Sequence, residues 1–208
     1  MTDVLDDAPD GAPDDVPDEV AATGPAPRRP IAPWIALGIA IVMIGLVVVL
    51  INATSDGETV AESPLIGRPA PEAVGELADG TSFDLSRRKG SWVVLNFFTA
   101  DCVPCIQEHP DLIDFHEQQQ ALGADGAELY SVVVNDTPAD VEAFFDERGG
   151  DWPVVYSEFD EFPVAFGVAQ VPETWIVDPS GVVQLRFISK VTAEQLNITL
   201  QQFREQYG

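Results

Sequence analysis

The stretch WVVLNFFTADCVPCIQEHP, residues 92–110, holds a strand, a turn and a helix start in nineteen positions. Trp92–Phe98 is a β-branched and aromatic run whose near-continuous apolarity suits a strand buried on both faces. From about Val103 the pattern turns helical and runs to Leu122. Pro110 is expected to interrupt or kink that helix, because a proline there removes the bond to the carbonyl of Ile106. Between strand and helix lies Asp101-Cys102-Val103-Pro104-Cys105, which contains the only two cysteines of 208 residues. A bridge between such close neighbours closes a tiny loop and constrains little of the chain, so the value of the pair is chemical rather than structural. A thiolate at a helix N-terminus accepts backbone N–H bonds and meets the positive end of the dipole, which lowers its pKa. Cys102 stands where it can attack a disulfide, and Cys105, one turn in, where it can resolve the mixed disulfide. Pro104 suits the first turn, since its missing N–H has no intrahelical partner.

Two blander readings compete with that chemistry: a pair of buried small hydrophobes, and half a metal site. A lone C-x-x-C decides little, but a strand before it and a helix after it favour redox chemistry. The other candidate ligands are His109 and His116. His109 is one turn past Cys105 on the same helical face, whereas His116 lies roughly 10 Å further by helical rise, too far for one tetrahedral site. No resident metal and no cofactor are expected. A copper-holding metallochaperone using Cys102, Cys105 and His109 stays open as an alternative, since soft thiolates suit Cu(I).

Outward from this segment, strand and helix signals alternate. Asp79-Gly80 joins Val74–Leu77 to Thr81–Leu85 as a hairpin turn. Leu129–Val134 is a second buried strand, Pro138–Arg148 a helix with proline at its start and Gly149-Gly150 after its end, and Pro153–Tyr156 a short apolar run. Phe159–Phe166 is expected as a short helix broken by Pro163. Thr174–Val177 and Val182–Ile188 flank the turn Asp178–Gly181. The last helix, from about Thr192 to Tyr207, places Leu196, Leu200, Phe203 and Tyr207 on one face. These alternations predict an α/β fold, a mixed sheet with helices on both faces.

The N-terminal part differs in kind. Residues 1–30 hold eight acids and two arginines with almost no large apolar residue, and are expected to be a disordered cytoplasmic tail. Residues 31–51 are 21 consecutive positions without a charge, and as a helix they rise about 30 Å, the thickness of the hydrocarbon core. Arg28 and Arg29 precede them and Asp56 and Glu58 follow, so the positive-inside rule places the rest of the chain outside the cell membrane on a single-pass anchor. Residues 52–63 read as a flexible linker with a span on the order of 20 Å, and residues 64–208 as the folded domain. The formal charge of −25 repels nucleic acid and excludes it as a partner.

Two segments resemble a known family. Asn96-Phe-Phe-Thr-Ala-Asp-Cys-Val-Pro-Cys-Ile-Gln-Glu-His-Pro110 resembles the active-site segment of thioredoxin-like proteins, and more narrowly that of the membrane-tethered reductases of cytochrome c maturation, the CcmG/DsbE and ResA/TlpA type. Val171-Pro-Glu-Thr-Trp-Ile-Val-Asp178 resembles their second signature. The resemblance, over about residues 64–208, implies a thioredoxin-like fold and a protein disulfide reductase. Cys102 would be the nucleophile and Cys105 the resolving thiol. Pro172 would be cis and face the disulfide, with the backbone of Val171 pairing with an incoming peptide. Glu108, one turn after Cys105, matches the acid that tunes the cysteines and relays protons, and Glu173 is expected to face the substrate. The implied partners are apocytochrome c, whose haem-binding cysteines would be kept reduced, or other disulfide-containing proteins, and a transmembrane thiol electron donor. The chain departs from the family in having Phe98 and Asp101 where tryptophans are usual. A carboxylate beside Cys102 disfavours its thiolate, so Asp101 is expected to make the pair more reducing.

Overall fold

The computed structural model describes residues 32–53 and 59–207, with side chains over 37–48 and 60–206; the acidic tail expected over residues 1–30 and the middle of the expected linker lie outside the described residues. The chain divides into two units, Met1–Val49 and Leu50–Gly208. Helix α1 runs over Ala32–Ala53, most of it in the first. Its side chains at residues 37–48 are all exposed, among them Leu37, Val42 and Ile44. Among the described residues no helix is long and apolar enough to cross a membrane; residues 37–48 alone fall short of the roughly 20 a crossing takes.

The second unit is built on a mixed sheet. Its strands are β1 (Thr59–Val60), β2 (Val74–Leu77), β3 (Ser82–Asp84), β4 (Val93–Phe98), β5 (Glu128–Val133), β6 (Val154–Tyr156), β7 (Glu173–Val177) and β8 (Val183–Ile188). They lie in the order β1-β8-β7-β4-β5-β6-β2-β3. β4 pairs parallel with β5 and antiparallel with β7. Helix α2 (Val103–Ala121) makes the crossover from β4 to β5, and α3 (Pro138–Arg148) that from β5 to β6. α4 (Glu161–Phe166) leads towards β7, and α5 (Ala193–Tyr207) closes the chain.

All six residues of β4 are buried, as its near-continuous apolarity requires, because the sheet is covered on both sides. Val93, Leu95 and Phe97 point into one core with Phe162, Phe166 and Trp175. Val94 points the other way, into a core with Leu112 and Phe115 of α2 and Leu196 and Leu200 of α5. The period-2 alternation of a strand sorts these side chains. It also turns the one polar residue of β4, Asn96, towards the α2 side.

Three local expectations change. Thr59–Ala61, within the expected linker, join the sheet: Thr59 and Val60 pair with Ile188 and Phe187, and Ala61 N–H donates to the Arg186 carbonyl at 3.0 Å. The open edge of β8 offers backbone groups that a passing chain can satisfy. Pro110 lies inside one continuous helix. The turns around it bury Leu112 and Phe115 against the sheet, and such packing outweighs one lost backbone bond. Phe159–Phe166 splits into a 3-10 turn, Glu158–Asp160, and α4. Pro163 sits in the first turn of α4, where no N–H partner is needed, so it starts that helix rather than breaking it.

Candidate active site

β4 delivers the chain to the disulfide, and Asp136 anchors the turn that follows it. The Thr99 hydroxyl donates to Asp136 Oδ2 at 2.8 Å and Ala100 N–H to the same oxygen at 2.6 Å. Cys102 then takes the N-cap of α2, its Sγ accepting from Cys105 N–H at 3.2 Å. Cys102 and Cys105 are joined by a disulfide. Cys102 is half-buried and Cys105 only 3 % exposed. That asymmetry suits Cys102 to attack a disulfide and Cys105 to resolve one. The Val171–Pro172 bond is cis, and the Val171 carbonyl oxygen lies 3.7 Å from Cys102 Sγ. Asp101 is exposed, 3.4 Å from Thr99 Oγ1. An open groove of about 720 Å³ lies beside the pair, with Asp101, Asp136, Phe144 and Val171 in its walls.

Glu108, one turn beyond Cys105 on the same helix, is 1 % exposed. Its Oε1 accepts from Asn96 Nδ2 at 2.6 Å and its Oε2 from Val191 N–H at 2.9 Å. Burial pushes its carboxyl pKa up to about 7, against the pull of these two donors and of Lys190, with Asp111 adding a smaller push upward. Asn96 also donates to Thr174 Oγ1 at 3.2 Å, which ties β4, α2 and β7 together at the carboxylate. Neither Asn96 nor Val191 was among the expected site residues. The signal for Asn96 was present: a lone amide in a strand otherwise built to be dry on both faces.

Glu173 does not face the substrate. It is fully buried, with Oε1 2.7 Å from Arg186 Nη2 and Oε2 2.9 Å from Arg186 Nε. A charged carboxylate enters a core only when paired in this way. His109 is turned away from the cysteines. Its Nε2 bonds the Gly149 carbonyl at 2.8 Å, and Phe144, Phe145 and Trp152 wall its ring; burial lowers its pKa. His116 is 3.0 Å from Asp151. Among the described residues no three His, Cys, Asp or Glu side chains are grouped to hold a metal ion.

The model of the AhpC/TSA family matches residues 66–186. The chain belongs to the AhpC/TSA family. Within it, the chain is similar to the thiol:disulfide interchange protein HelX of Rhodobacter capsulatus, 33 % identical over 135 residues, which cover 62 % of this chain and 72 % of HelX. Similarity to the thiol-disulfide oxidoreductase ResA of Bacillus subtilis is 32 % over 151 residues, 72 % of this chain and 81 % of that one. The solved thioredoxin domain of a thiol-disulfide oxidoreductase from Bacteroides vulgatus superposes with a TM-score of 0.59 at 24 % identity, covering 68 % of this chain and 99 % of that domain. It shares the thioredoxin-like fold. This AhpC/TSA member is a thiol–disulfide oxidoreductase.

Proposed function

We propose that this chain is a membrane-anchored protein disulfide reductase acting outside the cytoplasm, with the haem-binding cysteines of apocytochrome c as its client. Buried Glu108, with a pKa of about 7 one turn from the resolving cysteine, carries the reductive reading. In the reducing direction Cys102 thiolate forms a mixed disulfide with the client and releases the first client sulfur as a thiolate, which takes its proton from water. The Cys105 thiol passes its proton to Glu108 carboxylate and attacks Cys102 Sγ, releasing the second client sulfur. Two electrons leave the cysteines and the Cys102–Cys105 disulfide remains, to be reduced again by a transmembrane dithiol donor. A base serves best when its pKa lies near the working pH, and burial gives Glu108 that value where a surface glutamate stays far below it.

Support for the location comes from the 21 uncharged residues at 31–51 and from the arginines that precede them. Support for the client comes from the resemblance of the Cys102 and Pro172 segments to the reductases of cytochrome c maturation. A Cys102→Ala strain, stained for haem in c-type cytochromes with and without added thiol, tests the whole reading. Loss of cytochromes that is rescued by thiol is the expected result. Normal cytochromes overturn the client assignment and leave the exchange chemistry intact, directing the chain to other disulfide-containing proteins.

A further inference from the structure

The loop Gly167–Val171 brings the Val171 carbonyl to the disulfide, yet few bonds hold it. At its start Gly167 N–H donates to the Val164 carbonyl at 3.0 Å; beyond that, Val168 N–H donates to the Pro163 carbonyl at 3.0 Å, and Ala169 N–H to Glu173 Oε1 at 3.3 Å. The Ala169 bond ends on a side chain with no freedom. Glu173 Oε1 also accepts from Arg186 Nη2 at 2.7 Å, while Oε2 accepts from Arg186 Nε at 2.9 Å and from Trp175 Nε1 at 3.2 Å. Each carboxylate oxygen therefore takes two donors. The Arg186 guanidinium in turn lies 5.1 Å from the centroid of the Trp175 ring, which fixes its plane.

Stability alone is a weak reason for such a pair. A buried ion pair gains little over apolar residues of the same volume, because desolvation offsets the attraction. What apolar isosteres cannot do is aim a lone pair at Ala169. We propose that Glu173 and Arg186 form a positioning clamp which holds the Gly167–Val171 loop so that the Val171 backbone is set to pair with an incoming polypeptide. Neither residue touches a reacting sulfur, so the clamp acts on the binding of peptide disulfides and not on sulfur exchange itself. This rests on the reading of the chain as a protein disulfide reductase.

The test uses the purified full chain and its E173L/R186M variant, in which apolar groups of similar size replace both charges. Each is assayed against a disulfide-bonded peptide and against a small aromatic disulfide such as dithionitrobenzoate, which has no backbone to pair. The KM for the peptide is expected to rise about five-fold, the worth of roughly one hydrogen bond, with kcat held within about two-fold. The rate with the small disulfide is expected to be retained. An unchanged peptide KM, or equal losses with both substrates, overturns the clamp. Amide exchange in the unaltered chain judges it independently of activity and of how the variant folds. Ala169 N–H is expected to exchange about ten-fold more slowly than that of Gln170 beside it, and equal rates overturn the proposal. If the unaltered chain reduces neither substrate, the reductase reading falls, and the exchange comparison still decides whether the loop is held.

Discussion

Replacing Glu108 by Gln keeps the size of the side chain and removes its ionisation. In the folded chain the carboxyl titrates at about 7 against an ordinary 4.5. Between those values the folded state holds a proton that the unfolded chain has lost. The stability this contributes is fully present below pH 4.5 and is lost as pH rises through about 7. At about 1.4 kcal/mol per unit the interval comes to about 3 kcal/mol. Glutamine escapes that loss. It can accept from Val191 N–H, but its own N–H₂ then meets the amide of Asn96, which must turn and release Thr174; that cost, about 1 kcal/mol, does not depend on pH. Urea unfolding of both oxidised proteins from pH 4 to pH 8 is the assay. His109, whose lowered pKa works in the opposite sense and costs stability as pH falls, is common to both and cancels in the difference. Relative to wild type, the variant should gain about 3 kcal/mol across the window. A difference that stays constant with pH would refute the claim that burial, rather than the two donors, governs Glu108. The same variant should reduce a peptide disulfide about a hundred-fold more slowly at pH 7, the usual worth of a positioned base. The deficit should shrink at alkaline pH, where Cys105 ionises unaided.

Cys105→Ser should trap a mixed disulfide between Cys102 and its client, visible as a thiol-sensitive adduct in non-reducing gels; adducts formed equally by Cys102→Ser would reverse the two roles. Asp101→Asn should raise the reduction potential by removing a charge beside the Cys102 thiolate, and an equal or lower potential in a glutathione titration would refute the proposed bias. Asn96→Leu removes one of the donors that hold down the Glu108 pKa, so the pH–rate profile should move to higher pH, with no movement counting against the bond. Phe115→Ala, at a fully buried site between α2 and the sheet, should cost about 3 to 5 kcal/mol in urea unfolding and leave the reduction potential unchanged.

The parts of the fold that were legible in the sequence are those where burial writes a period. Both-face burial makes Trp92–Phe98 continuous in apolar residues, and one-face burial spaces Leu196 and Leu200 a turn apart. Thr59–Val60 was not legible, because its pairing is fixed by the open backbone edge of β8 and not by its own side chains. Glu173 was misread for a more specific reason. Its partner Arg186 lies across the β7–β8 hairpin, and the register there contains an irregularity between Ile176 and Val177: Val177 pairs with Val183 but Ile176 with Leu185. Counting evenly from the Asp178–Gly181 turn would set Arg186 opposite Thr174, on the other face of the sheet from Glu173. The extra residue sets it opposite Trp175 instead, on the same face as Glu173 and Trp175. One residue of slip exchanges the faces of a strand, and no local signal in either strand announces it.

The same desolvation that makes Glu108 a liability to the fold fits it for proton transfer, and the two donors set the limit. Burial alone drives a carboxyl towards permanent protonation, in which state it accepts no proton from Cys105. Solvent exposure leaves it ionised but too weak a base at neutral pH. Asn96 Nδ2 and Val191 N–H draw the value back to about 7, where both protonation states are populated. These donors come from separate elements, the middle of β4 and the segment that leads into α5. Asp111, one turn further along α2, accepts from Ala193 N–H at 3.2 Å and fastens that segment a second time. The value is therefore a property of how three elements pack, not of the cysteine motif. A thioredoxin-like chain could keep Cys102, Pro104 and Cys105 and still lack a usable base if β4 carried an apolar residue at position 96, which is why that amide belongs to the site as much as the carboxylate it holds.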